Sequence, residues 1–172
     1  MQPNDGTVHS CHGIDNGLIP IVAYNYGARK PERIQSAWKW AMLYSGMFFV
    51  PFLLALELFP DAVLRLFNAS VYMMGIGIPA VRILALAWMI SIPGLVISSA
   101  LQGLSLPNPG MLLTTLRQVA LPVLLAALLR FTGNLPMIWI SFVLAEIICL
   151  PLARTLWTMH WKKLSSELYD NV

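Results

Sequence analysis

Four long apolar runs, separated by short polar breaks, dominate the chain. They are 40–59 (WAMLYSGMFFVPFLLALELF), 83–102 (ILALAWMISIPGLVISSALQ), 111–131 (MLLTTLRQVALPVLLAALLRF) and 136–153 (PMIWISFVLAEIICLPLA). A hydrocarbon layer about 30 Å thick asks for about 20 mostly apolar residues in helix, so each run predicts one membrane-spanning helix. A fifth stretch, 17–26 (GLIPIVAYNY), has ten residues. It is too short to cross and reads as the end of a further helix.

The breaks carry their own signals. LPNPG at 106–110 predicts a tight turn, and TGNLP at 132–136 another. PDAVLRLF, within 60–82, predicts a short amphipathic helix at the membrane interface. MGIGIP, ahead of Arg82, reads as the start of the second span. Every span contains a proline: Pro51, Pro93, Pro122 and Pro151. Such prolines are ordinary in membrane helices, and they are also where a helix can bend.

Composition agrees with this pattern. Hydrophobic residues make up 58% of the 172 and charged residues 11%, against about 25% charged in an average soluble domain. Mean hydropathy is +0.69. The pI of about 9.1 does not point to nucleic acid, because the basic residues sit at the ends of apolar runs and form no basic face. Two cysteines make no disulfide framework. HSCH at 9–12 offers three metal-ligating side chains in a polar leader, 1–13, that reads as disordered. No nucleophile–base pair, phosphate loop or metal-ligand spacing stands out, so no enzyme is expected.

Charge placement orients the spans. Arg29, Lys30, Arg33, Lys39, Arg117, Arg154, Lys162 and Lys163 fall on one side, and Arg65, Arg82 and Arg130 on the other. The positive-inside rule places the richer side in the cytoplasm, with both termini. Trp38, Trp40, Trp157, Trp161, Tyr24 and Tyr26 fall at inner interface positions. Gly27 is expected to end the first helical stretch in the left-handed conformation. Arg29, Lys30 and Arg33 then anchor the turn on the anionic leaflet, and Pro31 opens the next helix.

Polar residues inside the spans are the candidate chemistry, since an ionisable group at mid-helix costs about 2.5–3.5 kcal/mol on insertion scales. Glu146 lies about 15 Å into its span, near the midplane, where a carboxyl group can take a coupling ion, an organic cation or a proton, or serve as a paired structural group. Arg117, six residues into its span, reads first as a side chain that snorkels to the cytoplasmic face. The alternative is a pair with Glu146, whose depth differs by about one helical turn. Thr114 and Gln118 share a face by their i,i+4 spacing, and that face is expected to point into the bundle. The scattered methionines suit core filling and lipid contact.

GLIPIVAYNYGARKPERI, residues 17–34, resembles the C-lobe hinge of multidrug and toxic compound extrusion (MATE) transporters, a P-x-x-x-Y-N-x-G-A pattern followed by a basic loop. Pro20, Tyr24, Asn25, Gly27, Ala28 and Arg33 fall on it. LFPDAVLRLF, SSALQGLSLPNPG, the Arg117–Gln118 helix and WISFVLAEIICLPLA resemble the segments that follow, in order. The resemblance covers about 14–164 and leaves the leader 1–13 unmatched, with 165–172 as a cytoplasmic tail. It implies an all-α integral membrane fold: four transmembrane helices plus a stub of a fifth, most of the C-lobe of a twelve-helix, two-lobed transporter. It implies export of organic cations or drugs coupled to Na+ or H+ in a bacterial plasma membrane, with the missing N-lobe as partner. Lipid-linked oligosaccharide flippases of the same superfamily tend to line their cavity with several basic residues. Here only Arg117 and Arg82 would serve, which favours the exporter. The remaining alternative is a truncated remnant without transport of its own.

Overall fold

The computed structural model describes residues 13–169. The expectations for the histidine–cysteine cluster at 9–12, for nearly all of the polar leader and for the last residues of the tail fall outside this range. Seven α-helices account for nearly all of it: α1 Gly13–Gly27, α2 Pro31–Leu58, α3 Pro60–Leu66, α4 Val71–Gly103, α5 Pro107–Thr115, α6 Leu121–Leu129 and α7 Leu135–Tyr169. A π-helical turn, Leu116–Ala120, fuses α5 to α6, and a 3-10 turn, Arg130–Thr132, closes α6. Four helical segments are long and apolar enough to cross a membrane: Pro31–Leu58, Val71–Gly103, Pro107–Thr132 and Leu135–Ser166.

These helices outrun the apolar windows, α2 at its N-terminal end and the other spans at both ends. The second span is 33 residues long, about 50 Å at 1.5 Å per residue, against a hydrocarbon layer of about 30 Å. Hydropathy marks where lipid tails begin, whereas a helix continues until its backbone bonding is interrupted. Thus α2 starts at Pro31, whose missing N–H is no loss in a first turn, and α4 takes in Gly75, Gly77 and Pro79 ahead of its apolar centre. The predicted interfacial helix is α3. Pro51, Pro79, Pro93 and Pro151 lie inside α2, α4 and α7 without breaking them.

Two local expectations change. LPNPG is not a turn: Pro107–Gly110 form the first turn of α5, where proline is pre-organised, and the chain reverses at Leu104–Leu106 instead. Gly110 brings α5 close to α4, since a Cβ there would stand 3.0 Å from the Ser98 carbonyl oxygen. Gly27 is not the left-handed residue after α1; that residue is Arg29, at φ 52°. The Lys30 N–H donates to the Asn25 carbonyl (3.0 Å) and the Arg29 N–H to that of Tyr26 (3.0 Å). This is a Schellman closure with arginine in the position glycine favours. Asn68 (φ 53°) and Ser105 (φ 60°) close α3 and α4 in the same way.

α4 is the central helix. It is apolar on all sides, and 44% of its membrane window is buried, against 17% for each of the other three spans. It packs on α1, α2, α3, α5 and α7. The buried core gathers at the end of the bundle that holds the Arg29 and Ser105 turns: Leu18 and Val22 of α1, Ile34 and Ala41 of α2, Val96, Ala100 and Leu101 of α4, and Ala153 and Trp157 of α7. Trp157 stacks on Trp38 of α2 (centroids 5.3 Å apart) and on Trp161 (5.5 Å), so the expected interface aromatics also tie α2 to α7. Away from this end the chain presents large apolar side chains outward, among them Met47, Phe48, Met73 and Val123. That is the surface lipid tails require, and it is where those methionines lie.

Close approach of α1 to α4 depends on Gly103. A Cβ there would stand 2.7 Å from Val22 Cβ and 2.8 Å from the Ile19 carbonyl oxygen. Gly75, on the same helix, has nothing within 4 Å. Gly103→Ala is expected to cost about 1–3 kcal/mol through overpacking, and Gly75→Ala to stabilise slightly through helix propensity. Reversible unfolding in mixed micelles checks both; equal effects at the two sites would refute this packing.

Candidate functional site

The site grows from the irregular turn between α5 and α6. Pro122 has no N–H to offer the carbonyl four residues earlier, at Gln118. The chain opens into a π turn there, in which the Leu121 N–H reaches the Leu116 carbonyl, five residues back. Such a turn holds one residue more than an α-turn and is frequent at functional sites. It also carries Arg117 to the inside of the bundle.

Arg117 is 2% exposed. Its Nη1 donates to the Ser91 carbonyl of α4 (2.8 Å) and lies 3.5 Å from Glu146 Oε2 of α7. The guanidinium occupies a slot that exists because position 94 is glycine: a Cβ there would stand 2.7 Å from Nη1 and 3.5 Å from Cδ. One side chain therefore ties three spans together. Arg117 lies about 15 Å from the start of α5, Ser91 about 18 Å from the end of α4 and Glu146 about 17 Å from the start of α7, at 1.5 Å per residue. All three meet near mid-membrane.

The sequence reading of Arg117 as a snorkelling residue is therefore corrected, and its alternative, the pair with Glu146, is what forms. The reason is local. At this depth the π turn aims the side chain at α4, where a carbonyl, a carboxylate and a glycine slot are within reach. Thr114 is not brought to this pair. Its hydroxyl donates to the Gly110 carbonyl of its own helix (3.0 Å), and it does not line the cavity described next. Thr114 is half-buried and Gln118 exposed.

Arg117, Gln118 and Glu146 wall a cavity of about 330 Å³, with Ser91 and Trp88 of α4 and Phe142 of α7. Leu84 and Ala87 complete the lining. Small-molecule sites are about 300–1,000 Å³, mostly apolar, with a few placed polar groups, and this cavity fits that description. The Ser91 hydroxyl is satisfied by the Trp88 carbonyl (2.8 Å). Trp88, Ser91, Gly94 and Phe142 were not singled out in the sequence. Only the Pro93–Gly94 step hints at them, as a helical position without a side chain beside a proline.

The hinge residues lie elsewhere. Asn25 is buried, and its side-chain amide donates to the Ile21 carbonyl (2.8 Å) while its own carbonyl takes the Lys30 N–H. The Ala28 N–H donates to Tyr24 and the Arg33 N–H to Lys30. Pro20 sits inside α1 and Gly27 is its last residue. None of the six lines the Arg117 cavity. They shape the turn between α1 and α2. Among the described residues no cluster of three or more metal-ligating side chains occurs.

The pair predicts a strong coupling. Removing one member of a buried ion pair costs about 3–5 kcal/mol, while replacing both by apolar residues is nearly neutral. Arg117→Met and Glu146→Leu should each destabilise the chain, and the double variant should recover most of the loss. A double-mutant cycle read by unfolding in micelles checks this; additive effects would mean that the two side chains do not interact.

The fold is similar to that of solved transporters. An outward-facing multidrug resistance MATE family transporter of the MOP superfamily superposes with TM-score 0.81 at 22% identity, over 88% of this chain and 35% of that one. An inward-facing MATE family transporter gives 0.80 at 21%, over 88% and 36%. A MOP superfamily transporter from Pyrococcus furiosus, described by the reverse polarity of its binding pocket, gives 0.79 at 21%, over 87% and 34%. The chain thus spans about a third of the length of the transporters it resembles. No curated protein sequence matches it. The MatE family profile matches residues 6–128, so the match begins inside the leader that the resemblance left out. Four membrane-length helices, the fold and a profile match over well over half of its length place this multi-pass membrane chain in the MatE transporter family.

Proposed function

We propose that the chain forms most of the C-lobe of a cation-coupled antiporter that exports organic cations or drugs, with Na+ or H+ exchanged through Glu146. The observation that carries this reading is the Arg117–Glu146 pair at mid-membrane, opening onto a cavity with Trp88 and Phe142 in its walls. A carboxylate beside aromatic rings suits an organic cation, by charge and by cation–π attraction. A proton, a metal cation, the substrate or Arg117 can each neutralise the carboxylate, and competition among them is what antiport requires. A ligand that binds one state better than the other shifts the inward–outward equilibrium by that difference.

The missing N-lobe would complete the cavity, because binding between lobes near the midplane needs both. Near-equal likeness to outward- and inward-facing structures suits a lobe that rocks as a rigid body. The reading also places the chain in a bacterial plasma membrane with both termini in the cytoplasm, as the basic residues favour.

The flippase reading asks for a basic cavity. Arg117 does line this one, but Glu146 neutralises it, and Arg82 is exposed and not among the lining residues. The exporter is favoured on that observation.

In a two-lobed transporter carrying this lobe, Glu146→Gln is expected to abolish ion-dependent efflux of a cationic dye at unchanged expression. Normal ion-dependent efflux by that variant would remove Glu146 from the mechanism. Cells expressing the present chain alone should accumulate the dye like cells without it, since one partial lobe encloses no two-sided pathway.

A further inference from the structure

A second concavity lies far from Arg117, between α1 and α2. It measures about 480 Å³ and is lined along α1 by Gly17, Leu18 and Ile21 and along α2 by Arg33, Trp40 and Tyr44. The α2 wall runs from Arg33 to Tyr44, eleven residues of helix, or about 17 Å at 1.5 Å per residue. The apolar window of this span begins at Trp40, so Arg33 stands about 10 Å outside the hydrocarbon edge and Tyr44 about 6 Å inside it. The groove's character changes along that length. At the turn end stands Arg33, exposed and without an ion pair among the described residues. The adjoining turn adds Arg29 and Lys30, both exposed. Toward the other end the lining is apolar, and Trp40 and Tyr44, each about half exposed, stack with centroids 5.5 Å apart.

We propose that this groove is a binding site for a single anionic phospholipid, its phosphate held by Arg33 and one acyl chain laid along Leu18, Ile21, Trp40 and Tyr44. Three features select this occupant. A basic head above an apolar trough complements an anionic amphiphile in charge and in polarity. The groove straddles the headgroup boundary, where a lipid's head and the upper part of its acyl chain lie and which a spanning helix would overrun. Trp40 and Tyr44 are amphipathic rings of the kind that settle at the headgroup boundary. The site is independent of transport, since it needs only that the chain sits in a bilayer. A bound lipid there would brace α1 against α2, stiffening the turn that Asn25 and Arg29 shape.

The test uses the full chain in nanodiscs of phosphatidylcholine, with a brominated lipid at fixed mole fraction as the quencher. Trp40's share is the difference in quenching between the native chain and Trp40→Phe. A basic residue near an anionic surface adds about fivefold in partitioning. Brominated phosphatidylglycerol should therefore quench Trp40 about fivefold more effectively than brominated phosphatidylcholine. Arg33→Gln should remove that preference, Arg33→Lys should keep most of it, and Arg65→Gln, on α3, should leave it unchanged. Equal quenching by the two lipids in the native chain overturns the proposal without recourse to any Arg33 variant. So does a preference that survives Arg33→Gln. Absence of quenching by both lipids overturns it too, and would mean that protein, another segment or a second copy, covers the groove.

Discussion

A guanidinium at the middle of a hydrocarbon layer must find its partners inside the protein, because no water is there to supply them. Arg117 meets that demand with a carbonyl on α4 and a carboxylate on α7, from a turn that is itself irregular. Much of the site follows from it. Gly94 leaves the slot, Ser91 lends its carbonyl, and the π turn supplies the direction of approach. The same turn answers the lack of an N–H at Pro122. Irregular backbone at membrane depth is tolerated where protein surrounds it, and here three helices do.

The rest of the lobe is arranged around that requirement. Close packing is concentrated at the end with the basic turn, where Gly103 lets α1 touch α4 and the Trp38–Trp157–Trp161 stack ties α2 to α7. The Arg117 cavity lies beyond this core, toward the middle of α4. A firm end and an open middle suit a lobe that keeps its shape while a ligand binds within it. The hydroxyls of Ser98 and Ser141 donate to carbonyls of their own helices, Gly94 and Ile138, so these two add no polar seam that would compete with the Arg117 pair.

The sequence disclosed what depends on local composition. Apolar runs located the four spans, Pro60 and the amphipathic pattern located α3, and Gly133, left-handed at φ 69°, turned the chain where TGNLP predicted. What it hid depends on neighbours. Gly27 looked like the cap, yet Arg29 takes the left-handed position, although that conformation costs a non-glycine residue about 1–2 kcal/mol. The bond from the Lys30 N–H to Asn25 requires the reversal two residues later than glycine suggests. LPNPG read as a break because proline cannot continue a helix, but it can begin one. The π turn leaves no mark on apolar periodicity, so sequence alone puts Arg117 at the interface. Depth along the helices did make the Glu146 pairing available as an alternative, because span length and rise per residue are fixed quantities.

The geometry also separates the roles of the two charges. Arg117 is held by the backbone of α4 as well as by Glu146, and it is the more buried of the two, at 2% against 13%. If Glu146 is neutralised, the guanidinium keeps its bond to Ser91 and its slot over Gly94. If Arg117 were displaced, by contrast, a carboxylate would remain at mid-membrane with no counter-charge. The carboxylate is thus the member that can leave the pair at lower cost, and it also faces the cavity. On the proposed exporter reading, Arg117 acts as a fixed positive reference against which a proton, a sodium ion or an organic cation must compete for Glu146. A cation succeeds only by supplying what the arginine gave, which ties occupancy of the cavity to the contact between α7 and α4.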